Sequence, residues 1–297
     1  MTTASFQAYL LACQSPYTEL FCSSSMQVTG PSSRRTIAFG IFIAVSAISQ
    51  SQGRLISIDT TRLVSEINTT TGARTVLGTL STLVMPGGLA YDKVSQKIYM
   101  STSSDRSLYT LDLATLTATK IGSFVVQVNF NGLEWDSVNG VLYGASSHDG
   151  GLYRINTTTG AATLITTSPV QRSLNLGYNS LTDTLYATNN ADKTWYSVNR
   201  TTGAFNLIGS LGSNLGIVNG LAFNEDNGKM YMIEDTTSDG LYTINMSTGA
   251  ATLIGRSGAG SPIGLVYINA APVPEPATIL VLGGGALAFY RRKRSRK

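Results

Sequence analysis

The sequence predicts an all-β fold, a propeller of five four-stranded blades, from three observations. A strand-turn-strand unit, typified by residues 152–165 (LYRINTTTGAATLI), recurs five times. Its copies begin their turns at Asn68, Asp112, Asn156, Asn199 and Asn245, at spacings of 44, 44, 43 and 46 residues, and a strand-rich period of roughly 40–45 residues is that of a propeller blade. The first repeat lacks one strand and the last has one to spare, so the two deficits are complementary. A single four-stranded sheet cannot bury both of its faces, whereas radial stacking covers them.

Taken in order, residues 1–25 carry no positive charge and no periodicity, and translation is expected to start at Met26. Arg34 and Arg35 then form a basic n-region, and residues 36–48 (TIAFGIFIAVSAI) form a 13-residue apolar h-region, followed by small residues near Ala47. That is the pattern of a cleaved export signal, because a spanning helix needs about 20 apolar residues. Ser33-Arg34-Arg35 partly resembles a twin-arginine signal, and Leu10-Leu11-Ala12-Cys13 partly resembles a lipobox that lacks a basic n-region. Residues 1–52 are therefore read as an N-terminal extension and signal peptide for the Sec export machinery. Both cysteines, Cys13 and Cys22, precede the exported body. That body has neither a disulfide framework nor a thiolate site, and packing alone must stabilise it.

Residues 53–270 are read as the propeller. Each blade has an inner strand A (Gly88-Leu-Ala-Tyr91, Gly132-Leu-Glu-Trp135, Asn175-Leu-Gly-Tyr178, Gly220-Leu-Ala-Phe223, Gly264-Leu-Val-Tyr267). Strand B follows (Leu55-Ile56, Ile98-Tyr99, Leu142-Tyr143, Leu185-Tyr186, Met230-Tyr231), and then the C–D hairpin. Asn or Asp opens the hairpin turn because its side chain bonds the backbone two residues on, and Gly closes it because a positive φ is needed there. Leu116 occupies the Gly position of the second hairpin, which is therefore expected to be looser or differently turned. The final strand A, ending near Ile268, should pair with the first strand B, closing the ring and removing its open edges. The repeats resemble a broad group of secreted bacterial β-propeller proteins built from degenerate LYTID-TG-T-IG units, a likeness that implies the fold and no particular activity.

The composition changes after Asn269. Prolines 272, 274 and 276 preclude helix or central strand, residues 277–290 (ATILVLGGGALAFY) read as a short apolar helix, and residues 291–297 hold six basic residues. Val273, Pro274, Glu275 and Pro276, the apolar segment and the basic tail together closely resemble the PEP-CTERM sorting signal, also called an ice-binding-protein C-terminal motif. The resemblance implies recognition by an exosortase in a Gram-negative, exopolysaccharide-producing bacterium. It also implies transient inner-membrane anchoring through residues 277–290, and residence in the envelope or extracellular matrix. Ice binding is not implied, since these threonines lie in turns spread around a ring and not in a flat array.

The chain's net charge of +4 resides in its ends: residues 53–272 carry 13 Lys and Arg against 15 Asp and Glu, a net of −2, which argues against a nucleic-acid partner. The one histidine, His148, falls in a B–C loop and reads as a solvated side chain. B–C loop acids recur at Asp105, Asp149, Asp192 and Asp239, as ordinary turn chemistry allows. Glu134 is the anomaly. Where other inner strands carry Ala90, Gly177, Ala222 and Val266, it places a carboxylate that must be paired, bound to a cation or protonated. Asn131, Asn175 and Asn219 lie near the same ends of neighbouring inner strands, and such oxygens suit Ca²⁺. The expected function is a non-catalytic binding or structural protein contacting exopolysaccharide or other surface glycans and proteins, with no cofactor. The alternative is a propeller-type hydrolase or lactonase with a metal site around Glu134. One carboxylate alone cannot supply both acid and base.

Overall fold

A computed structural model describes residues 53–167 and 174–270; the signal peptide, the sorting motif and the C-terminal apolar helix lie outside the described residues. Within them the chain forms five four-stranded antiparallel sheets. Strands β1 (Arg54–Asp59), β2 (Leu63–Ile67) and β3 (Arg74–Thr79) are B, C and D of blade 1. Blade 2 holds β4 (Pro86–Asp92), β5 (Lys97–Thr102), β6 (Ser107–Asp112) and β7 (Thr117–Ser123). Blade 3 holds β8 (Phe130–Asp136), β9 (Val141–Ser146), β10 (Gly151–Ile155) and β11 (Ala162–Thr167). Blade 4 holds β12 (Leu174–Asn179), β13 (Thr184–Asn189), β14 (Thr194–Val198) and β15 (Phe205–Ser210). Blade 5 holds β16 (Ile217–Asn224), β17 (Lys229–Asp235), β18 (Asp239–Ile244) and β19 (Ala251–Gly258). The last strand, β20 (Pro262–Ile268), is strand A of blade 1 and pairs with β1, Leu55 opposite Tyr267 and Ile58 opposite Gly264. The ring closes as the complementary deficits predict.

The core lies between blades. Adjacent residues of a strand point to opposite faces of its sheet, and here each face meets a different neighbour. Ile56 packs with Ile98 and Met100 of blade 2, while Leu55, one residue earlier, packs with Tyr231 and Ile233 of blade 5. Both faces of strand B are thus apolar, which is why it reads as a continuous hydrophobic pair and not as an alternation.

The C–D turns follow the expected chemistry. Asn68, Asn156, Asn199 and Asn245 each accept the backbone N–H two residues on through Oδ1, at 2.8–3.0 Å. Gly72, Gly160, Gly203 and Gly249 take φ values of +72° to +84°. The second hairpin keeps the side-chain bond, Asp112 Oδ1 accepting the Ala114 N–H at 2.8 Å, and Leu116 adopts φ +50°. It lacks the backbone bond from the turn-closing N–H to the opening carbonyl that Gly72, Gly160, Gly203 and Gly249 make, and is in that respect the looser turn expected. The Leu116 side chain packs against the blade 1–2 core, and that contact holds a non-glycine residue in the left-handed region.

Sequence reasoning missed why strand D carries Ile-Gly or Leu-Gly in four of the five blades, with Ile165-Thr166 in blade 3. Each D strand carries a β-bulge there, and the turn of the next blade sits on it. A Cβ added to Gly122, Gly209 or Gly255 would overlap the carbonyl oxygens of Thr159, Thr248 or Thr71. One added to Gly78 would meet Leu116, and one added to Gly203 would meet Thr166. In every one of the five contacts at least one partner is glycine. The bulges also protect the five outer strands, whose edges would otherwise be open to pairing.

Candidate functional site

The site is assembled where five inner strands run side by side. At their N-terminal ends the backbones approach so closely that no water-sized void remains where Gly88, Gly132, Asn175, Gly220 and Gly264 converge. A Cβ at Gly88 would meet the Asn131 carbonyl, and one at Gly132 the Leu174 carbonyl. The amides seen in the sequence hold this junction together. Asn175 donates from Nδ2 to the Val218 carbonyl at 2.9 Å and accepts the Gly220 N–H at 3.2 Å. Asn219 donates to the Pro262 carbonyl at 2.7 Å. Asn131 lies 3.5 Å from the Ser147 hydroxyl. The first two are staples from one blade to the next.

Towards the C-terminal ends of the same strands the ring widens around a cavity of about 40 Å³. That is room for a few waters at most, given that one needs roughly 10–15 Å³ measured this way. Its wall includes Tyr91, Trp135, Tyr178 and Tyr267. Glu134 also faces it, whereas Asn131, Asn175 and Asn219 do not line it. The structure therefore does not bring the four predicted residues onto one ion. Part of Glu134 faces the small void, but its carboxyl is enclosed by protein. Oε1 accepts its neighbour Trp135 N–H at 3.0 Å and Oε2 accepts Tyr178 N–H of blade 4 at 3.1 Å. Burial raises its pKa to about 8; the two N–H donors offset part of that and the nearby Asp136 charge adds to it.

A second carboxylate in this cavity escaped the sequence reading. Two residues beyond each inner-strand aromatic stand Lys93, Ser137, Ser180, Glu225 and Asn269, all on the cavity wall. Lys93 Nζ meets Glu225 at 2.9 Å across the mouth, Ser180 donates to Glu225 and Asn269 reaches it at 3.3 Å. Burial opposes ionisation of Glu225, but Ser180 and Lys93 hold its pKa below the usual range. The fixed offset from the A-strand aromatic was the signal that could have found it.

The remaining candidates stay apart. His148 is exposed, its backbone N–H bonded to Ser146 Oγ at 3.1 Å. The B–C acids are each engaged in their own blade: Asp105 with Tyr109 Oη at 2.8 Å and Lys120 at 2.8 Å, Asp149 with Tyr153 Oη at 2.6 Å, Asp192 with Asn189 at 3.0 Å, and Asp239 with the Thr236 N–H at 2.9 Å. Burial works against the Asp105 charge, yet Lys120, Thr102 and Tyr109 bring its pKa down to about 2. Asp136, fully buried, is bound by Arg200, which also reaches Asp183 at 2.8 Å and lies over the Tyr178 ring. Among the described residues no three His, Cys, Asp or Glu side chains are grouped to hold a metal ion. Nor is any helix there long and apolar enough to cross a membrane.

Residues 38–180 match a family described as a repeat of unknown function (DUF6923), and residues 272–295 match the PEP-CTERM protein-sorting motif. No curated protein matches the chain. Among solved structures, a structural-genomics protein of unknown function from Bacteroides thetaiotaomicron aligns with a TM-score of 0.53 and 16% identity, over 76% of this chain and 68% of that one. A nidogen/laminin complex aligns with a TM-score of 0.49 and 12% identity, over 73% and 98% of the two chains. PQQ-bound aldose sugar dehydrogenase from Streptomyces coelicolor aligns with a TM-score of 0.43 and 13% identity, over 73% and 76%. At these identities the likeness concerns the fold alone.

Proposed function

We propose that this secreted β-propeller repeat protein, which carries a PEP-CTERM sorting motif at residues 272–295, acts without catalysis as a binding or structural component of the cell envelope or matrix. The closed axis supports this reading best. Small-molecule sites are concavities of roughly 300–1,000 Å³; the axial cavity measures only about 40 Å³, with Lys93 and Glu225 paired on its wall, and the larger hollow of about 710 Å³ on the flank of blades 1 and 2 does not contain Glu134. Glu134 then serves as a staple that joins blades 3 and 4 through two backbone N–H groups. The sorting motif supports an address. Val273, Pro274, Glu275 and Pro276 would be read by an exosortase. Residues 277–290 would lie transiently in the inner membrane of a Gram-negative cell, with the basic tail on the cytoplasmic side. The released ring would then contact exopolysaccharide or surface proteins. Fractionation of the native host tests this: with its exosortase, processed protein is expected in the envelope and matrix, and without it, or in a Pro274→Ala/Glu275→Gln variant, unprocessed protein in the inner membrane. Uniformly cytoplasmic protein would sink the address. Binding of the full chain on a glycan array tests the partner class.

A second reading, a propeller-type hydrolase or lactonase, is favoured by one observation. Glu134 and Glu225 share a cavity and their pKa values are displaced in opposite directions, the pattern of an acid beside a base. It requires the Lys93–Glu225 contact to open, and if a metal takes part, Asn175 and Asn219 to leave their present partners for Ca²⁺. Turnover of sugar lactones or glycosides, with and without Ca²⁺ and lost in Glu134→Gln, would establish it. Absence of turnover leaves the non-catalytic reading standing.

A further inference from the structure

The loops joining strand A to strand B all leave the cavity end of the ring, because the C-terminal ends of the five inner strands converge there. Four of these loops use one device. Asp92, Asp136, Asn179 and Asn224 each accept, through Oδ1, the N–H two residues later, at 2.9, 3.1, 2.9 and 2.9 Å. The residues two positions on therefore occupy equivalent tips: Val94, Val138, Leu181 and Asp226. Turn tips are ordinarily polar, yet the first three are aliphatic and exposed by 84%, 59% and 66%. In blade 1 the loop is replaced by the chain's departure after β20, through Asn269 and Ala270. The apolar segment beginning at residue 277 follows seven positions later, and seven residues reach at most about 25 Å.

We propose that this face docks on a lipid bilayer surface, with Val94, Val138 and Leu181 entering the interface on three successive blades. The inference rests on the reading above that residues 277–290 enter the membrane. A ring tethered so shortly presents its exit face to the bilayer, and aliphatic tips on that face bury apolar area there. Charge contributes little: Lys93 pairs with Glu225, Arg200 pairs with Asp136 and Asp183, and Asp226 at the fourth tip accepts the Tyr267 hydroxyl. Zwitterionic phosphatidylcholine should therefore suffice.

The test uses the full chain with Cys13→Ser and Cys22→Ser, reconstituted into phosphatidylcholine vesicles with or without brominated acyl chains. A fluorophore is placed by Val94→Cys, Val138→Cys or Leu181→Cys, and for comparison by Thr237→Cys or Ser213→Cys, exposed sites in the B–C and D–A loops at the other end of the ring. Tips lying in the interface predict bromine-dependent quenching at least about twofold stronger at the first three sites than at the last two. Val94→Asp with Val138→Asp should abolish the quenching at 181, and because both positions are exposed these changes spare the fold. Failure of the chain to float with vesicles overturns the anchoring reading and this one together. Flotation with equal quenching at all five sites, or with no bromine dependence because the tips contact protein, overturns the docking face alone.

Discussion

Glu134 and the interblade glycines carry the residue-scale chemistry. A carboxyl whose folded pKa is raised binds its proton more tightly in the folded chain than in the unfolded one. Its contribution is therefore fully present below about 4.5 and is lost as pH rises towards about 8. Chemical denaturation should accordingly show stability falling between those values in the wild type and a flatter profile in Glu134→Gln, while an unchanged slope would remove Glu134 as its source. The glycines separate contact from conformation. Gly255→Ala would drive its Cβ into the Thr71 carbonyl, backbone that cannot step aside, and should cost about 2–3 kcal/mol. Gly140→Ala meets nothing within 4 Å and suffers only its φ of +66°, at about 1 kcal/mol. Equal losses in thermal melts of the two variants would refute the interblade contact.

At the scale of elements, the strand that closes the ring matters most. β20 satisfies the edge of β1 and lends Leu265 and Tyr267 to the blade 5–1 core. A chain ending at Ser261 should expose that edge and associate, visible as loss of the monomer in size exclusion with light scattering; a stable monomer would mean that the ring does not depend on its closure. Trp195 plays the corresponding part between blades 4 and 5. It is fully buried, stacks on Tyr186 at 4.9 Å and donates to the Met246 carbonyl at 3.2 Å. Trp195→Ala should cost about 3–5 kcal/mol in denaturant unfolding.

For the whole molecule, two pH limbs bound stability. Asp105, brought to about 2, and Asp136, Asp149 and Glu225, all lowered, lend stability that is lost as pH falls through their folded values. Glu134 lends stability that is lost as pH rises, so the maximum is expected at about pH 4–5. A maximum at neutral pH in denaturation curves would show that Glu134 is ionised without cost. Blade number, strand identity and ring closure were legible in the chain because a 44-residue period and strands apolar on both faces are local patterns that only radial stacking can bury. Glu134 was legible because it breaks the repeat. The bulge glycines under four of the five turns stand in the sequence as Leu-Gly and Ile-Gly but had no meaning until the next blade was laid on them, and Leu116 showed that packing overrides turn preference. Glu225, the commitment of Asn175 and Asn219 to the neighbouring strand, and the gathering of Val94, Val138 and Leu181 beside the chain exit are relations between different blades. They depend on how five sheets are rotated about one axis. That distance information is absent from a linear pattern, so only the tertiary structure decided them.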